Sequence, residues 1–271
     1  MTDFSVLLSV YYKEKPEFLQ SSINSVYNQT RKPSEVILVK DGPLTIELEK
    51  TIDNLCSVFS NLIIVPLEKN SGLGIALNEG LKHCSFDIVA RMDTDDVAKQ
   101  DRFEKEISVL EKYPEIDIVG AWVDEFIEIP SNIVSTRKVP EKHEEILKYS
   151  KYRAPVNHPS VMFRKKAVLD AGSYLDLKLY EDYYLWARML MNGAVFYNIQ
   201  ESLLYFRITD ETYKRRGGIK YASVELNFLR KMYKIHFLSF SEYLINIIVH
   251  TSVRLVPNNL RAFLYKHILR N

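Results

Sequence analysis

The sequence has little that would cross-link it covalently or carry it out of the cell. It contains two cysteines, Cys56 and Cys84, without the CxxC spacing of a zinc site or redox motif, so we expect a reduced, cytosolic protein without zinc. The first residues lack a basic segment followed by an apolar one, and we expect no signal peptide. No run approaches the roughly 20 apolar residues that span a bilayer.

The net charge of +1 hides an uneven distribution. Residues 211–271 contain five Lys and six Arg against three Glu, a formal charge of +8, so the first 210 residues carry −7. A basic tail on an acidic body indicates a contact with something anionic, such as a membrane surface or phosphate groups. The alternative is a solvated helical face that happens to be basic.

Strand and helix patterns alternate through the first hundred residues. Short apolar runs predict four strands, and segments with helical periodicity separate them. The strands are expected at 5–11, 35–40, 62–66 and 86–92, and the helices at 16–28, 44–58 and 72–83. This alternation indicates an α/β fold with a mostly parallel, Rossmann-like central sheet flanked by helices. Ligands bind such sheets at the carboxyl ends of the strands.

The pattern becomes mixed after residue 97 and helical after residue 217. We expect helices at 100–112 and 181–191, strands at 116–122, 160–163, 195–198 and 203–206, and helices from 218 onward. The predicted organisation is a first half at 1–97, a second half of the same domain at 98–215, and a helical tail at 216–271.

Three carboxylates directly follow the fourth predicted strand, in the segment 93–96 (DTDD). Neighbouring carboxylates repel one another, so the arrangement is costly unless a cation is bound. Mg²⁺ and Mn²⁺ prefer such oxygen ligands together with substrate phosphates. The alternatives are a solvated acidic loop or a helix N-cap, because Asp95 or Asp96 could cap the next helix. The position at the carboxyl end of a strand favours the metal.

Other polar residues lie at predicted strand and helix ends. Asp41 ends the second strand, either as a turn residue or as a hydrogen-bond acceptor for a nucleotide. The segment 69–74 (KNSGLG) opens a helix whose start favours phosphate, or it is a cap with packing glycines. Arg91, inside an apolar strand, is expected to pair with Asp93 or Asp41, or to reach a phosphate.

Glu181 and Asp182 begin the predicted helix EDYYLWARML. Acidic residues at a helix start are favoured by the helix dipole alone. The chemical alternative is a general base that takes a proton from a hydroxyl nucleophile. Spacing along the chain does not decide whether this pair faces Asp95.

Five segments, in this order, resemble one known family. They are SVLLSVYYKE, VILVKDG, EKNSGLGIALNEGL, ARMDTDD and YEDYYLWARM. Together they resemble the family 2 inverting glycosyltransferases of the GT-A fold, especially the bacterial enzymes that assemble O-antigen or other surface polysaccharide. The resemblance covers about residues 4–210, and it is specific because all five motifs agree in order and spacing.

The resemblance implies a role for each matching residue. The nucleotide-sugar site would comprise Ser9, Tyr11, Asp41, Lys69, Asn70, Gly72, Arg91, Asp93 and Thr94. Asp95 would hold the metal, with Asp93 as a second candidate. Asp182 would be the catalytic base, and Glu181 would bind or orient the acceptor. The candidates for contact with the donor diphosphate, from the basic residues after the last strand, are Arg207, Arg215 and Arg216.

The implied reaction is a direct displacement that transfers one hexose, with UDP-galactose or UDP-glucose as the favoured donor. Mn²⁺ or Mg²⁺ would be the cofactor. The acceptor would be a hydroxyl of GlcNAc or GalNAc on a polyprenyl diphosphate, and an α-linked donor would give a β-linkage, expected to be β-1,3. The Gln-x-x-Arg-Trp motif of the family's processive members is missing from the sequence, which favours transfer of a single sugar.

One predicted helix of the tail, at 239–256, has a polar stripe. Glu242, Asn246, His250 and Arg254 recur every four residues on an otherwise apolar helix. The final segment interleaves Leu260, Phe263, Leu264 and Ile268 with Arg261, Lys266 and Arg270. This composition suits an interfacial helix on anionic lipid, which would place the protein on the inner face of the bacterial inner membrane. The alternative is that the apolar faces pack on the catalytic domain or on a second copy in a homodimer.

Two other functions compete with sugar transfer. A sugar nucleotidyltransferase also uses a nucleotide, a metal and carboxylates, but it needs a glycine-rich basic loop after the first strand. The corresponding turn 12–15 (YKEK) has no glycine. A non-catalytic scaffold at the membrane would not need Asp41, Asp93, Asp95 and Asp182 together. Nucleic acid is not an expected partner.

Overall fold

The amino-terminal part of the chain forms the parallel part of a central β-sheet. The structure of the protein is a computed structural model that describes residues 2–209 and 218–255. The parallel strands are β1 (Phe4–Val10), β2 (Glu35–Lys40), β3 (Leu62–Pro66) and β4 (Ile88–Arg91), in the spatial order β3-β2-β1-β4. They are connected by α1 (Pro16–Tyr27), α2 (Ile46–Val58) and α3 (Leu73–His83).

The second part of the chain extends the same sheet with antiparallel pairs. Its strands are β5 (Val97–Ala98), β6 (Ile116–Phe126), β7 (Ile133–Arg137), β8 (Met162–Arg164) and β9 (Val195–Arg207). Its helices are α4 (Arg102–Lys112), α5 (His143–Tyr149), α6 (Lys165–Asp170) and α7 (Glu181–Met191), and a 3₁₀ turn covers His158–Ser160. The described strands follow the order β3-β2-β1-β4-β8-β6-β9-β5, with β7 paired to β6. β8 runs antiparallel to both its neighbours, and β6 and β9 run parallel to each other.

Both faces of the parallel strands are buried, because successive residues of a strand point to opposite sides. In β1, Leu7 belongs to the cluster formed with α3 and α7, and Val6 and Leu8 belong to the cluster formed with α1, α2 and α4. The sheet thus packs between two apolar layers. It is a rigid platform, and the polar residues at its strand ends are held in fixed positions.

Two helices follow the sheet, α8 (Ile219–Lys234) and α9 (Phe240–Leu255). Phe228, Leu229 and Met232 of α8 are buried in the cluster that contains α7. None of the helices in the described ranges combines the length and the apolar character needed to cross a bilayer. The candidates Arg215 and Arg216, the side chain of Arg254 and the predicted interfacial segment after residue 255 lie outside the described residues.

The predicted fold class is confirmed, with corrections in the second half. β6 extends to Phe126 instead of ending at 122, because residues 123–126 pair with both β7 and β9, and Lys99 neutralises the buried carboxylate of Asp124 at 2.7 Å. The strands predicted separately at 195–198 and 203–206 form one strand, β9. The elements β5, β7, α5 and α6 were not predicted.

The helix after the acidic segment begins later than predicted. α4 starts at Arg102 with Asp101 at its N-cap position, so neither Asp95 nor Asp96 caps it. This correction removes the N-cap alternative for those two carboxylates. The predicted divisions at 97/98 and 215/216 stay predictions, and the first of them falls inside the two-residue strand β5, which belongs to the same sheet.

Candidate active site

The segment 93–96, here called the acidic loop, leaves the carboxyl end of β4 beside the end of β1. Ser22 of α1 donates its hydroxyl to the Asp93 carbonyl at 2.9 Å. The Thr94 hydroxyl lies 3.3 Å from the Ser9 carbonyl and donates to Glu14 Oε2 at 2.8 Å. The loop is therefore attached to α1 and to the end of β1, where the predicted nucleotide residues Ser9 and Tyr11 lie half-buried.

Three carboxylates of the acidic loop converge on one point. Asp93, Asp95 and Asp96 each offer an oxygen, and these atoms lie within 4.8 Å of one another. Burial, followed by repulsion from the neighbouring carboxylates, raises the pKa of Asp95 to about 7 and raises the pKa of Asp96 well above its usual range. A bound cation would stabilise the ionised form of such carboxyl groups.

The donor set fits a hard divalent cation. Asp96 Oδ1 accepts the backbone N–H of Arg207 at 2.8 Å, whereas its buried Oδ2 has no hydrogen-bond partner in the described ranges 2–209 and 218–255. A buried acceptor without a partner is costly. Oxygen ligands are those that Mg²⁺ and Mn²⁺ prefer. The residues that could hold the metal are therefore these three aspartates.

Arg207 holds the acidic loop through hydrogen bonds. Its Nε donates to the Asp95 carbonyl and its Nη1 to the Glu128 carbonyl, both at 2.8 Å. The guanidinium lies 3.9 Å from the ring centre of Phe18 and 4.5 Å from that of Phe126. These contacts hold Arg207 between two rings, and they give it a structural task besides the diphosphate contact predicted for it, which stays a prediction.

Arg91 is the buried cation of the site. Its side chain is 1% exposed and forms an ion pair with Asp93, which is one of the pairings considered from the sequence. Its Nε and Nη1 have no hydrogen-bond partner among the described residues. The positive charge of Arg91 lowers the pKa values of Asp95, Glu181 and Asp182 against the raising effect of burial. The charge of Arg91 therefore acts on the acidic loop and on the start of α7.

The turn after β2 and the start of α3 are locked together by Asp41. Its two carboxylate oxygens accept the backbone N–H groups of Ser71 at 2.6 Å and Gly72 at 3.0 Å, and its carbonyl accepts from Asn70 Nδ2 at 3.2 Å. Gly42 has a φ of +87°, and a Cβ there would lie 2.4 Å from Asn70 N. Asp41 thus fixes the segment that carries the exposed Lys69, Asn70 and Gly72. Its predicted bond to base or ribose stays a prediction.

The Glu181-Asp182 pair lies in the first turn of α7. A Cβ added to Gly74 of α3 would lie 3.3 Å from Glu181 Cβ, so α3 and α7 meet closely there. Burial raises the pKa values of both carboxyls, and the charge of Asp93 raises both further. The structure therefore brings Asp182 into the electrostatic field of the acidic loop, a relation that spacing along the chain left open.

His158 is a site residue that the sequence analysis missed. Its Nε2 shares a hydrogen bond with the Tyr174 hydroxyl at 2.9 Å, and its Nδ1 lies 3.8 Å from Asp182 Oδ2. Burial, together with the charge of Arg91, lowers the pKa of His158 well below its usual range, so the ring is neutral at pH 7. The polar run 157–160 (NHPS) before an apolar strand was the available signal, but it reads as an ordinary turn.

Glu14 is a second residue that was missed as a candidate. Besides the bond from Thr94, its Oε1 accepts the backbone N–H of Lys15 at 2.8 Å. Burial raises the pKa of Glu14, and its charge in turn raises that of Asp95. The residue adds a further carboxyl to an acidic site, which increases the need for a cation.

Comparison with known proteins agrees with this geometry. The model of the family described as "Glycosyl transferase family 2" matches residues 5–172. The chain is 42% identical over 267 residues to UDP-Gal:alpha-D-GlcNAc-diphosphoundecaprenol beta-1,3-galactosyltransferase of Escherichia coli, which covers 98% of this chain and 96% of that protein. It is 38% identical over 263 residues to amylovoran biosynthesis glycosyltransferase AmsE of Erwinia amylovora, covering 97% and 98% respectively.

Solved structures show the same fold at low identity. The crystal structure of S. aureus TarS 1–349 in complex with UDP-GlcNAc superposes with a TM-score of 0.65 at 17% identity, over 99% of this chain and 73% of that one. The architecture and the sequence matches define a glycosyltransferase of the GT-A type. The chain belongs to glycosyl transferase family 2.

Proposed function

We propose that the protein transfers one hexose from a UDP-sugar to a hydroxyl of a sugar linked to a lipid diphosphate. The observation that carries the proposal is the convergence of Asp93, Asp95 and Asp96 at the carboxyl end of β4, where their oxygens lie within 4.8 Å of one another. A displacement reaction needs a donor site and a base on its acceptor side. The acidic loop would belong to the donor site, and Asp182 at the start of α7 would be the base.

The donor is proposed to be UDP-galactose or UDP-glucose. The E. coli relative carries UDP-Gal in its name, and the TarS structure contains UDP-GlcNAc. In this chain the nucleotide-sugar pocket would be formed by the residues at the ends of β1, β2 and β4 and the start of α3: Ser9, Tyr11, Asp41, Lys69, Asn70, Gly72, Arg91, Asp93 and Thr94. The start of a helix favours phosphate, and at the start of α3 the N–H groups of Ser71 and Gly72 are already bonded to Asp41, so a phosphate would have to use the N–H groups that follow them.

Mn²⁺ or Mg²⁺ is the proposed cofactor, held by Asp95 with Asp93 and Asp96 in reach. Such an ion neutralises the negative charge that develops on a leaving diphosphate. The protein's own part is to hold the aspartates together through Arg207 and Ser22. Without that support, repulsion would separate the carboxylates.

Asp182 is the proposed catalytic base. It would accept the proton of the acceptor hydroxyl while that oxygen forms a bond to the anomeric carbon and the UDP leaves from the opposite side. The displacement inverts the configuration, so an α-linked donor gives a β-linked product, proposed to be β-1,3. The neutral His158 beside Asp182 cannot neutralise it, which leaves the carboxylate available for the proton.

The acceptor is proposed to be GlcNAc or GalNAc on a polyprenyl diphosphate. The E. coli relative is named for GlcNAc-diphosphoundecaprenol, and AmsE is named for amylovoran biosynthesis. We infer that this chain acts in the assembly of O-antigen, lipopolysaccharide or a related surface polysaccharide. Because such an acceptor resides in a bilayer, the protein would work as a peripheral protein on the cytoplasmic face of the bacterial inner membrane.

A donor screen with a synthetic acceptor tests the proposal. The full chain is incubated with Mn²⁺, a panel of nucleotide sugars and GlcNAc- or GalNAc-diphosphate-lipid, and the product is analysed by NMR. We expect UDP release and one β-linked hexose. A nucleotidyltransferase would release pyrophosphate from a nucleoside triphosphate and a sugar phosphate, and a scaffold would release nothing. Either of those results would replace the proposal.

A further inference from the structure

The last described helix, α9, points its polar residues inward. Asn246 is 2% exposed, and its Nδ2 donates to the Lys151 carbonyl at 2.9 Å. His250 Nδ1 lies 2.9 Å from Glu225 Oε1 of α8. Two residues of the polar stripe predicted from the sequence, Asn246 and His250, therefore attach α9 to the rest of the described chain.

The opposite face of α9 is apolar and exposed to solvent. Its members are separated by four, five, eight and nine positions, so they share one side of the helix. They are Phe240, Leu244, Ile245, Ile248 and Val249, and their exposed fractions run from 41% for Leu244 to 65% for Ile248. In water this orientation is the reverse of the usual one, in which the apolar face of a helix packs on the core.

The neighbouring surface of α8 is aromatic and basic. Tyr233 is exposed, stacks on Tyr243 with ring centres 4.9 Å apart and contacts Phe240. Arg230 and Lys234 are exposed on the same helix. Glu225, by contrast, is buried in its contacts with Tyr180 and His250. Apolar residues bordered by tyrosine and by exposed cations are typical of a surface that contacts anionic lipid.

Tyr180 connects this surface to the start of α7. Tyr180 directly precedes the Glu181-Asp182 pair, and its hydroxyl donates to Glu225 Oε1 at 2.7 Å. Its ring stacks on Phe228 of α8 with centres 4.3 Å apart. The same Glu225 oxygen contacts His250 of α9. The start of α7 is thus bonded to the two helices that carry the exposed apolar face.

We propose that the outward face of α8 and α9 is a docking surface for an anionic lipid bilayer, and that binding through this face positions the acceptor side of the active site next to the membrane. The inference rests on the proposed lipid-linked acceptor. It commits to lipid because the charge is complementary: Arg230 and Lys234 are exposed beside the apolar face, and the sequence of residues 211–271 has a formal charge of +8. A second copy docked on the same face would bring two such segments together, and like charges repel.

The charge of the segment 256–271 also argues against this segment as the partner that covers the exposed face. It contains Arg261, Lys266 and Arg270 and no acidic residue, so it would add positive charge beside Arg230 and Lys234 instead of balancing them. Anionic headgroups balance all of these cations at once.

The test exchanges two apolar residues of the face for acidic ones in the full chain. Leu244→Glu/Ile248→Glu is compared with Ile46→Glu/Val58→Glu, whose residues lie on α2 and are 69% and 71% exposed. The probe is co-sedimentation with vesicles of phosphatidylglycerol and phosphatidylcholine. We expect the wild type and the α2 variant to bind equally, and the α9 variant to bind at least about tenfold more weakly, which corresponds to about 1.4 kcal/mol. Equal binding by all three, or no binding by the wild type, overturns the proposal.

Two further measurements are needed. One distinguishes lipid from a second copy of the chain as the partner of this face, and the other distinguishes the docking surface from the proposed reaction. A wild-type dimer in light scattering that the α9 variant dissociates would overturn lipid docking in favour of a second copy. Transfer to a water-soluble acceptor should be unchanged in the α9 variant, while transfer to a vesicle-borne acceptor should fall; a fall in both overturns the docking role. Vesicle binding without any transfer would leave the docking surface supported and reject the proposed reaction. Truncation is a poor substitute, because α8 buries Phe228 in the core.

Discussion

The acidic loop and the Glu181-Asp182 pair are both clusters of carboxyl groups, but they are built differently. In the loop, three carboxylates place oxygens within 4.8 Å of one another, and one buried oxygen has no partner in the described chain. In the pair, Asp182 accepts the N–H of Tyr183 at 2.7 Å and lies beside a neutral His158. The first arrangement attracts a cation, and the second keeps a carboxylate available as a proton acceptor.

The difference teaches that burial alone does not assign a role to a carboxyl group. Burial raises the pKa values of Asp95 and Asp182 alike. The two groups differ in their neighbours. Asp95 is surrounded by other carboxylates, whereas Asp182 belongs to the first turn of α7 and experiences the positive charge of Arg91. Environments that differ in this way are the pattern by which enzymes divide tasks between similar groups.

The largest expected effect follows from removing the base. Asp182→Asn should lower the rate of transfer about 10²–10⁴-fold, the usual contribution of a general base, while donor binding survives. Single-turnover assays and UDP calorimetry measure the two quantities. Glu181→Gln is the matched control, and we expect a smaller loss there. Unchanged turnover in Asp182→Asn would remove the assignment.

Removing the shared cation should destabilise both clusters together. Arg91→Met leaves several buried carboxylates without their counter-charge, and it should lower the free energy of unfolding by about 3–5 kcal/mol. Urea denaturation provides the measurement. The exposed Lys50 of α2 is the control, and Lys50→Met should change little. If the two variants were equally stable, Arg91 would not be the electrostatic centre of the site.

Asp95→Ala should affect the acidic loop alone. The variant should lose the metal-dependent part of UDP binding, about 2 kcal/mol or more, as expected when one partner of a buried charged contact is removed. Calorimetry with and without Mn²⁺ measures it. Equal affinity of the wild type with and without the metal would contradict the cation site.

A smaller effect is expected at His158. His158→Phe leaves the buried Tyr174 hydroxyl without its partner and should cost about 1–3 kcal/mol of stability. His158→Gln can still bond that hydroxyl, and it should retain most of the stability in the same urea experiment. A Phe variant as stable as the Gln variant would mean that the hydrogen bond has no structural value.

The smallest expected effect is a shift in pH dependence. Asp182 must be ionised to accept a proton, and burial raises its pKa, so transfer should rise with pH through a value above the ordinary 3.9 or so of an aspartate. Glu181→Gln removes a neighbouring negative charge, which favours the ionised form of Asp182. The acidic limb of the kcat profile should therefore move to lower pH, by less than about one unit. A move to higher pH would contradict the coupling.

Much of the parallel part of the fold could be predicted from the sequence. β2 and β3 have the predicted bounds because each is an apolar run between turn residues, and α7 has the predicted bounds because acidic residues mark its start. The rest depended on contacts between distant parts of the chain. From the sequence, Asp124 was expected to lie in the polar connection after the strand, and its ion pair with Lys99 is evident only in the structure.

The site was predictable where its residues follow strands, and not where they meet across the fold. The acidic loop and Asp41 stand directly after β4 and β2, so their common location followed from sheet geometry. His158 has no such marker, and its position depends on Tyr174 and Asp182, which come later in the chain. In the tail, periodicity identified the stripe of Asn246 and His250, but only packing revealed that this stripe faces inward.

UDP calorimetry on Asp95→Ala and Asp182→Asn, each with and without Mn²⁺, tests the division of tasks between the two carboxyl clusters most directly. The account predicts that Asp95→Ala loses the gain in affinity that Mn²⁺ provides, and that Asp182→Asn keeps it in full. Equal gains in both variants, or loss of the gain in Asp182→Asn alone, would contradict the account.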